Sequence, residues 1–229
     1  MKPLRTRLPG IRIRDAGRPD TEAVMQLVAA ANPADPGAFE DARLTLAQAP
    51  AGPLSHFRSL AILAEDASGN PVGALMGGAP TWLFEHEGLD HPLLVECLLA
   101  RIGIISAVAV HPDHRGGGVG AGLIRHAAGR FARAGYGLLT LNFFPALEGY
   151  YRRLGFTTMD TLQVHLGDGY VVGQQWGDTR VAAKPVDRHT AIIPVRGLAS
   201  PVVSGILPRS GVPQSAYFDG EQLQIRPAT

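Results

Sequence analysis

Apolar and polar positions along the chain change period several times, and each change predicts an element. Ile11-Arg-Ile-Arg14 alternates with the period of two of a half-buried strand. Asp20 is placed to cap a following helix whose apolar face is Val24, Leu27, Val28 and Ala31, and Asn32-Pro33 stops it. Phe39, Ala42, Leu46 and Ala49 predict a second helix, ended by Pro50. Leu60–Ala64 and Val72–Met76 read as two strands joined by a turn over Asp66 to Asn70. The continuous run Ile104–Val110 predicts a buried strand. Val119, Leu123, Ala127 and Phe131 then recur at helical spacing up to Gly135, which has the character of a C′ glycine. A strand over 137–142 follows, then a helix opened by Pro145 and Ala146 and ended by Gly155. Thr157 to Leu166 reads as one strand, Gly167-Asp-Gly169 as a turn, and Tyr170–Val172 as its return.

Two stretches are less regular. Between residues 79 and 101, Trp82, Phe84, Glu85, His86, Glu87, Asp90 and His91 precede the apolar run Pro92–Ala100. With Asp90 as cap and Pro92 in the first turn, that run forms a short helix; read by composition alone it also suits an extended strand. From about Gly173 onward the chain turns to prolines, polar turns and short β-branched runs, ending in a hairpin signal around Asp219-Gly220. We therefore divide the chain into a domain over 1–172 and a β-rich extension over 173–229 that covers a sheet edge, forms a dimer contact or walls a cleft.

Composition narrows the classes. The net charge is +1 with no basic block, so nucleic acid is not indicated as a partner. One cysteine, Cys97, allows no intrachain disulfide and suits a reducing compartment. Met1–Arg7 contains no apolar core of a secretory signal, and no run approaches a membrane span, so a cytoplasmic location without membrane partners is expected. His86 and His91 are five positions apart and His111 and His114 three apart; neither pair makes a metal-binding helix face with an acid, so no metal is expected.

The chemistry concentrates in Val108-Ala-Val-His-Pro-Asp-His-Arg-Gly-Gly-Gly-Val-Gly-Ala-Gly122, where a glycine-rich turn joins a strand to a helix. The first N–H groups of a helix have no intrahelical partner and lie at the positive end of its dipole, so such turns hold phosphate. Arg115 adds a cation. No Lys-Ser or Lys-Thr follows any glycine, which excludes a P-loop. Gly116-x-Gly118-x-x-Ala121 matches the dinucleotide fingerprint formally, but residues 111–115 separate it from the strand and no acid stands beside Asn142.

The stretch resembles the acyl-CoA signature V-x-P-x-x-R-x-x-G-x-G of the GNAT superfamily through Val110, Pro112, Arg115, Gly118 and Gly120. Downstream, Tyr151-Arg-Arg-Leu-Gly155-Phe156 resembles the Y-x-x-x-G-F that closes the last helix of that superfamily. The resemblance covers about residues 11–166. It implies an α/β (α+β) fold, a mixed, mostly antiparallel sheet with a splayed strand pair flanked by helices, here with the C-terminal extension added. It also implies an N-acetyltransferase that moves an acetyl group from acetyl-CoA to an amine of a small molecule or peptide. Backbone groups of Val108 and Val110 would meet the pantetheine and one would polarise the thioester oxygen. Residues Arg115, Gly116, Gly117, Gly118, Val119 and Gly120 would hold the pyrophosphate. Tyr151 would protonate the departing thiolate as general acid.

No general base is assigned. Many relatives carry a glutamate on the strand entering the motif, whereas Ser106 is the only polar residue of Ile104–Val110. That gap leaves two further readings open: a non-catalytic acyl-CoA-binding or sensing module, and an acyltransferase or decarboxylase using another acyl-CoA. Residues 79–101 could touch the acceptor or be a solvated insertion, and a homodimer is possible through the extension.

Overall fold

The computed structural model describes residues 8–31 and 36–225, with the backbone course alone over 36–41. Met1–Arg7, the Asn32-Pro33 stop and the Phe39 side chain lie outside the described residues. In chain order the elements are β1 (Arg12–Asp15), α1 (Thr21–Ala31), α2 (Pro36–Ala47), β2 (Leu60–Glu65), β3 (Pro71–Gly78), α3 (Trp82–Glu85), α4 (Pro92–Leu99) and β4 (Ile102–Val110). They continue with α5 (Val119–Arg133), β5 (Leu138–Phe143), α6 (Glu148–Arg153), β6 (Thr157–Met159), β7 (Leu162–Gly167), β8 (Tyr170–Gln174), β9 (Arg180–Pro185), β10 (Ala191–Ile193), β11 (Val202–Ser204), β12 (Tyr217–Phe218) and β13 (Leu223–Gln224). The architecture is mixed α/β with a mostly antiparallel principal sheet and additional C-terminal strands. The chain divides into two compact units, Met1–Gly78 with Ile105–Arg130 and Ala79–Ile104 with Phe131–Thr229.

In the first unit the strand order is β1-β2-β3-β4. β1 and β2 pair antiparallel with Arg12 opposite Glu65, and β2 and β3 with Leu60 opposite Gly77. The turn after β2 is held by Asp66, whose Oδ1 accepts the N–H groups of Ser68 and Asn70 at 2.8 and 2.9 Å. Val24, Leu27 and Val28 of α1 and Ala42 and Leu46 of α2 close over Ala61, Leu63, Ala74 and Met76. Ala31 and Ala49 are exposed, so the apolar stripes end a turn earlier than their spacing suggests. Asp20 sits in a short 3-10 turn before α1, where its carboxylate accepts the Gly17 N–H at 2.9 Å and pairs with Arg14 at 2.8 Å. Arg14 also donates to Glu65 at 2.8 Å, fastening that turn and β1 to β2.

In the second unit β9 lies between β5 and β6, antiparallel to both, with Ala182 opposite Leu141 on one side and Thr158 on the other. β10-β11-β7-β8 form another sheet. The stretch read as one strand over Thr157–Leu166 is thus two strands in two sheets. The apolar alternation changes parity between Met159 and Leu162, the one trace of the break in the sequence; the bend is fixed by Asp160, which takes Arg180 Nε at 2.6 Å, and by Thr161, whose N–H reaches Ser200 Oγ at 3.4 Å.

Residues 92–99 are helical, with Val95, Leu98 and Leu99 buried on one face. The N-cap is His91 rather than Asp90, and no side chain caps it. Trp82 meets Trp176 edge-on at 6.2 Å, His86 Nε2 lies 2.9 Å from the Gly173 carbonyl, and the Tyr170 hydroxyl donates to the Gly88 carbonyl at 3.1 Å. The predicted final hairpin forms as β12 and β13, with Phe218 opposite Leu223.

Candidate active site

The glycine-rich turn belongs wholly to the first unit. β4 alternates into the core through Ile105 and Ala109, which are 4% and 1% exposed, while Val108 and Val110 are half-buried. The strand is extended past its end by the His111 N–H, which donates to the Val72 carbonyl at 3.0 Å. A 3-10 turn over Pro112–His114 follows, closed by Arg115 N–H to Pro112 at 3.1 Å. Gly116 and Gly118 then take left-handed backbone, φ +78° and +84°, where a side chain is strained. A Cβ on Gly116 would meet nothing within 4 Å, so its requirement is conformational, while Gly118 is also crowded by Leu8.

α5 begins at Val119, and its first intrahelical bond runs from Gly122 N–H to Gly118 C=O at 2.9 Å. The N–H groups of Val119, Gly120 and Ala121 precede that bond, at the positive end of a 15-residue helix. Arg115 Nε donates to the Val110 carbonyl at 3.1 Å, tying the cation to the end of β4, and no carboxylate pairs with it among the described residues. Backbone donors, a helix terminus and an arginine with no carboxylate partner among the described residues are groups whose chemistry suits a multiply charged anion such as a pyrophosphate.

What seats α5 is a residue that sequence pattern alone did not single out. A Cβ on Gly73 of β3 would lie 3.0 Å from Val119 Cγ1, 3.1 Å from the Ala109 carbonyl oxygen and 3.1 Å from Leu123 Cδ1. The missing side chain lets the first turn of α5 settle on the sheet beside the end of β4. Gly122 serves similarly toward Leu8, at 2.5 Å from a notional Cβ. The signal was a glycine inside an apolar strand, which marks close approach.

Tyr151 belongs to the second unit, on α6. It is 8% exposed, and its ring is held by Phe143 at 5.2 Å, Tyr150 at 5.1 Å and Phe156 at 6.1 Å. Burial pushes its phenol up to about 12, with a smaller push from Tyr150. Gly155, at φ +81°, ends the helix and turns Phe156 back, so that its N–H reaches the Tyr151 carbonyl at 3.2 Å. Glu148 stands on the same helix, but its carboxylate is engaged by the Thr158 hydroxyl at 2.9 Å, Arg152 at 2.8 Å and Arg180 at 2.7 Å. Those partners, Thr158 foremost, hold it below the usual carboxylate range, so it is a weaker proton acceptor than a free glutamate.

Glu85, Glu87, Asp90 and Glu96 are exposed around α3 and α4, and β4 carries no ionisable side chain. His111 and His114 stack edge-on at 6.1 Å within the turn. Among the described residues no cluster of three or more metal-ligating side chains occurs, and no helix is long and apolar enough to cross a membrane.

Residues 58–158 match the model of the acetyltransferase (GNAT) domain family. No curated protein matches the sequence. Solved structures of the same fold include a GNAT superfamily phosphinothricin acetyltransferase from Sinorhizobium meliloti in complex with acetyl-CoA, 18% identical, covering 83% of this chain and 96% of its own, TM-score 0.54. An N-acetyltransferase from Staphylococcus aureus Mu50 is 15% identical over 77% of this chain and 99% of its own, TM-score 0.53. The ribosomal-protein-S18-alanine N-acetyltransferase of Escherichia coli is 15% identical over 77% and 94%, TM-score 0.50. The chain thus has the fold of these acetyltransferases, and the glycine-rich turn and Tyr151 both fall within the stretch that matches the family model.

Proposed function

We propose that the protein is an N-acetyltransferase that moves an acetyl group from acetyl-CoA to an amine of a small molecule or peptide. The observation that carries this reading is the turn between β4 and α5, with left-handed Gly116 and Gly118, open helix N–H groups and the unpaired Arg115. In this reading residues 115–120 hold the pyrophosphate, and the backbone of Val108 and Val110 meets the pantetheine arm and the thioester oxygen. Tyr151, its proton retained by burial, gives that proton to the departing thiolate. The amine attacks the thioester carbon, the C–S bond breaks, and the ammonium proton leaves to water or to a group of the acceptor site. The relatives named above support the donor: one is solved with acetyl-CoA.

A second reading, an acyl-CoA-binding module without turnover, is favoured by the absence of any ionisable side chain on β4. Release of free CoA thiol, followed across a panel of primary amines and peptides with acetyl-CoA as donor, separates the two. Acetyl-CoA binding by calorimetry without thiol release on any acceptor would establish the module; absence of both would remove the domain's reading altogether.

A further inference from the structure

A cleft of about 680 Å³ opens in the second unit beside α4, within the size range of small-molecule sites. It shares no residue with the glycine-rich turn or with Tyr151. Its lining is mainly apolar, with Ala100, Leu207 and Pro208 at the surface over buried Ile206, and Cys97, Arg101, His189 and Arg209 add the polar groups. One turn before Cys97, Leu93 is 71% exposed and continues the apolar stripe of α4 outward.

The walls are built before any ligand arrives. Arg101 Nε donates to the Ile206 carbonyl at 3.1 Å, while its other nitrogens bond the Gly135 carbonyl and pair with Asp187. The loop after β11 is closed by Gly205 N–H to the Ser210 carbonyl at 2.9 Å and by two bonds of 2.9 Å between Ser210 Oγ and the backbone of Leu207. Beneath it, fully buried His165 donates from Nδ1 to the Ser210 carbonyl at 2.9 Å and accepts the Gly169 N–H on Nε2 at 3.2 Å. A cleft fixed this way loses little conformational entropy when it binds.

Its charge is one-sided. No acidic residue lines it. Arg101 is engaged by Asp187 and carbonyls, but Arg209 is exposed and has no carboxylate partner among the described residues. Arg209 also sits at φ +65°, a conformation glycine would take at lower cost. We propose that this cleft binds a small amphiphilic monoanion, an apolar body bearing one carboxylate. The carboxylate lies against Arg209, and the apolar body against Ala100, Leu207 and Pro208.

Cys97 lines the cleft, is exposed and is the chain's single cysteine, so its alkylation by neutral iodoacetamide reads occupancy directly. Octanoate should slow alkylation several-fold and saturably. Octan-1-ol and octylamine should protect far less at equal concentration, and acetate not at all. Arg209→Gly keeps the backbone conformation and should weaken octanoate protection about tenfold, the worth of one charged hydrogen bond. Equal protection by the alcohol, no protection by octanoate, or an unchanged Arg209→Gly would each overturn the proposal. So would protection of Cys97 that rises with protein concentration alone, alongside a dimer in sedimentation, because the cleft would then be a contact between copies.

Discussion

The ring of Tyr151 lies 5.2 Å from that of Phe143, tilted by 54°, and this contact spans from α6 to β5. With Tyr150 and Phe156 on its other sides, the phenol is fixed in position and kept protonated far above neutral pH. Tyr151→Phe keeps the packing ring and removes only the hydroxyl. Turnover should fall by roughly 10²–10⁴-fold with acetyl-CoA affinity nearly unchanged. Because the folded phenol titrates near 12 against 10.0 when unfolded, it should cause no loss of rate below about pH 11. Its contribution to stability is complete below pH 10 and disappears as pH rises toward 12. Wild-type turnover by Tyr151→Phe, measured where chemistry limits the rate, would remove the acid role.

Gly120 lies in the first turn of α5, before the first intrahelical bond is complete. Gly120→Glu suits a helix N-terminus and should fold, but it places a carboxylate where the pyrophosphate is expected. Calorimetry should find acetyl-CoA binding lost; unchanged affinity in the folded variant means the turn holds no phosphate.

Gly73 has almost no room for a methyl group, with Val119, Leu123 and the Ala109 carbonyl all at 3.0–3.1 Å. Gly73→Ala must lift α5 from the sheet by a few tenths of an ångström. We expect a loss of about 1–3 kcal/mol, the usual range for overpacking, and weakened acetyl-CoA binding. Denaturant unfolding at wild-type midpoint would show that α5 is not seated by this contact.

Asp187 joins Arg101 with the N–H groups of His189 and Thr190, at 3.0 and 2.8 Å. Burial alone would raise its carboxyl, but these bonds outweigh it and bring it down to about 2. A depressed carboxylate contributes stability above its unfolded value of 3.8 that is lost as pH falls toward 2. Arg101→Ala should cost roughly 2–4 kcal/mol at pH 7 and flatten this acid limb, as read by urea unfolding at pH 7 and 3.

His56 is 1% exposed; its Nδ1 lies 2.9 Å from Ser55 Oγ, and its Nε2 has no hydrogen-bond partner among the described residues. Burial lowers its pKa below 6.5, opposed weakly by Asp15. The neutral ring therefore favours folding above pH 6.5, and that advantage is lost as pH falls. His56→Gln should show a smaller difference in unfolding midpoint between pH 8 and pH 5.5 than the wild type.

Where periodicity carried structural meaning, the sequence was readable. The β2–β3 hairpin, the strand into the glycine turn and the α5 helix closed by Gly135, φ +89°, all follow from local pattern, although only Ile105 and Ala109 of the expected buried run Ile104–Val110 are buried. The glycine-rich turn was legible because its constraint is local: left-handed backbone at Gly116 and Gly118 demands glycine. Long-range choices were not. Nothing in Arg180–Pro185 says that it pairs with β5 and β6, since a short run such as Val181-Ala-Ala183 suits any sheet. Gly73 and the Arg101–Asp187 pair act across the fold, and spacing within an element carries no trace of a partner distant in the sequence.

The position of β9 sets the order in which the chain is able to fold during synthesis. β5 and β6 are separated by the width of one strand, and the strand that fills the gap is made only after β7 and β8 have been translated. Until residue 185 has left the ribosome, β5 and β6 each present an unpaired edge, the kind of surface on which nascent chains associate. A truncation at residue 173 would make that transient state permanent, so the C-terminal quarter is needed to finish the sheet that holds β5 and β6.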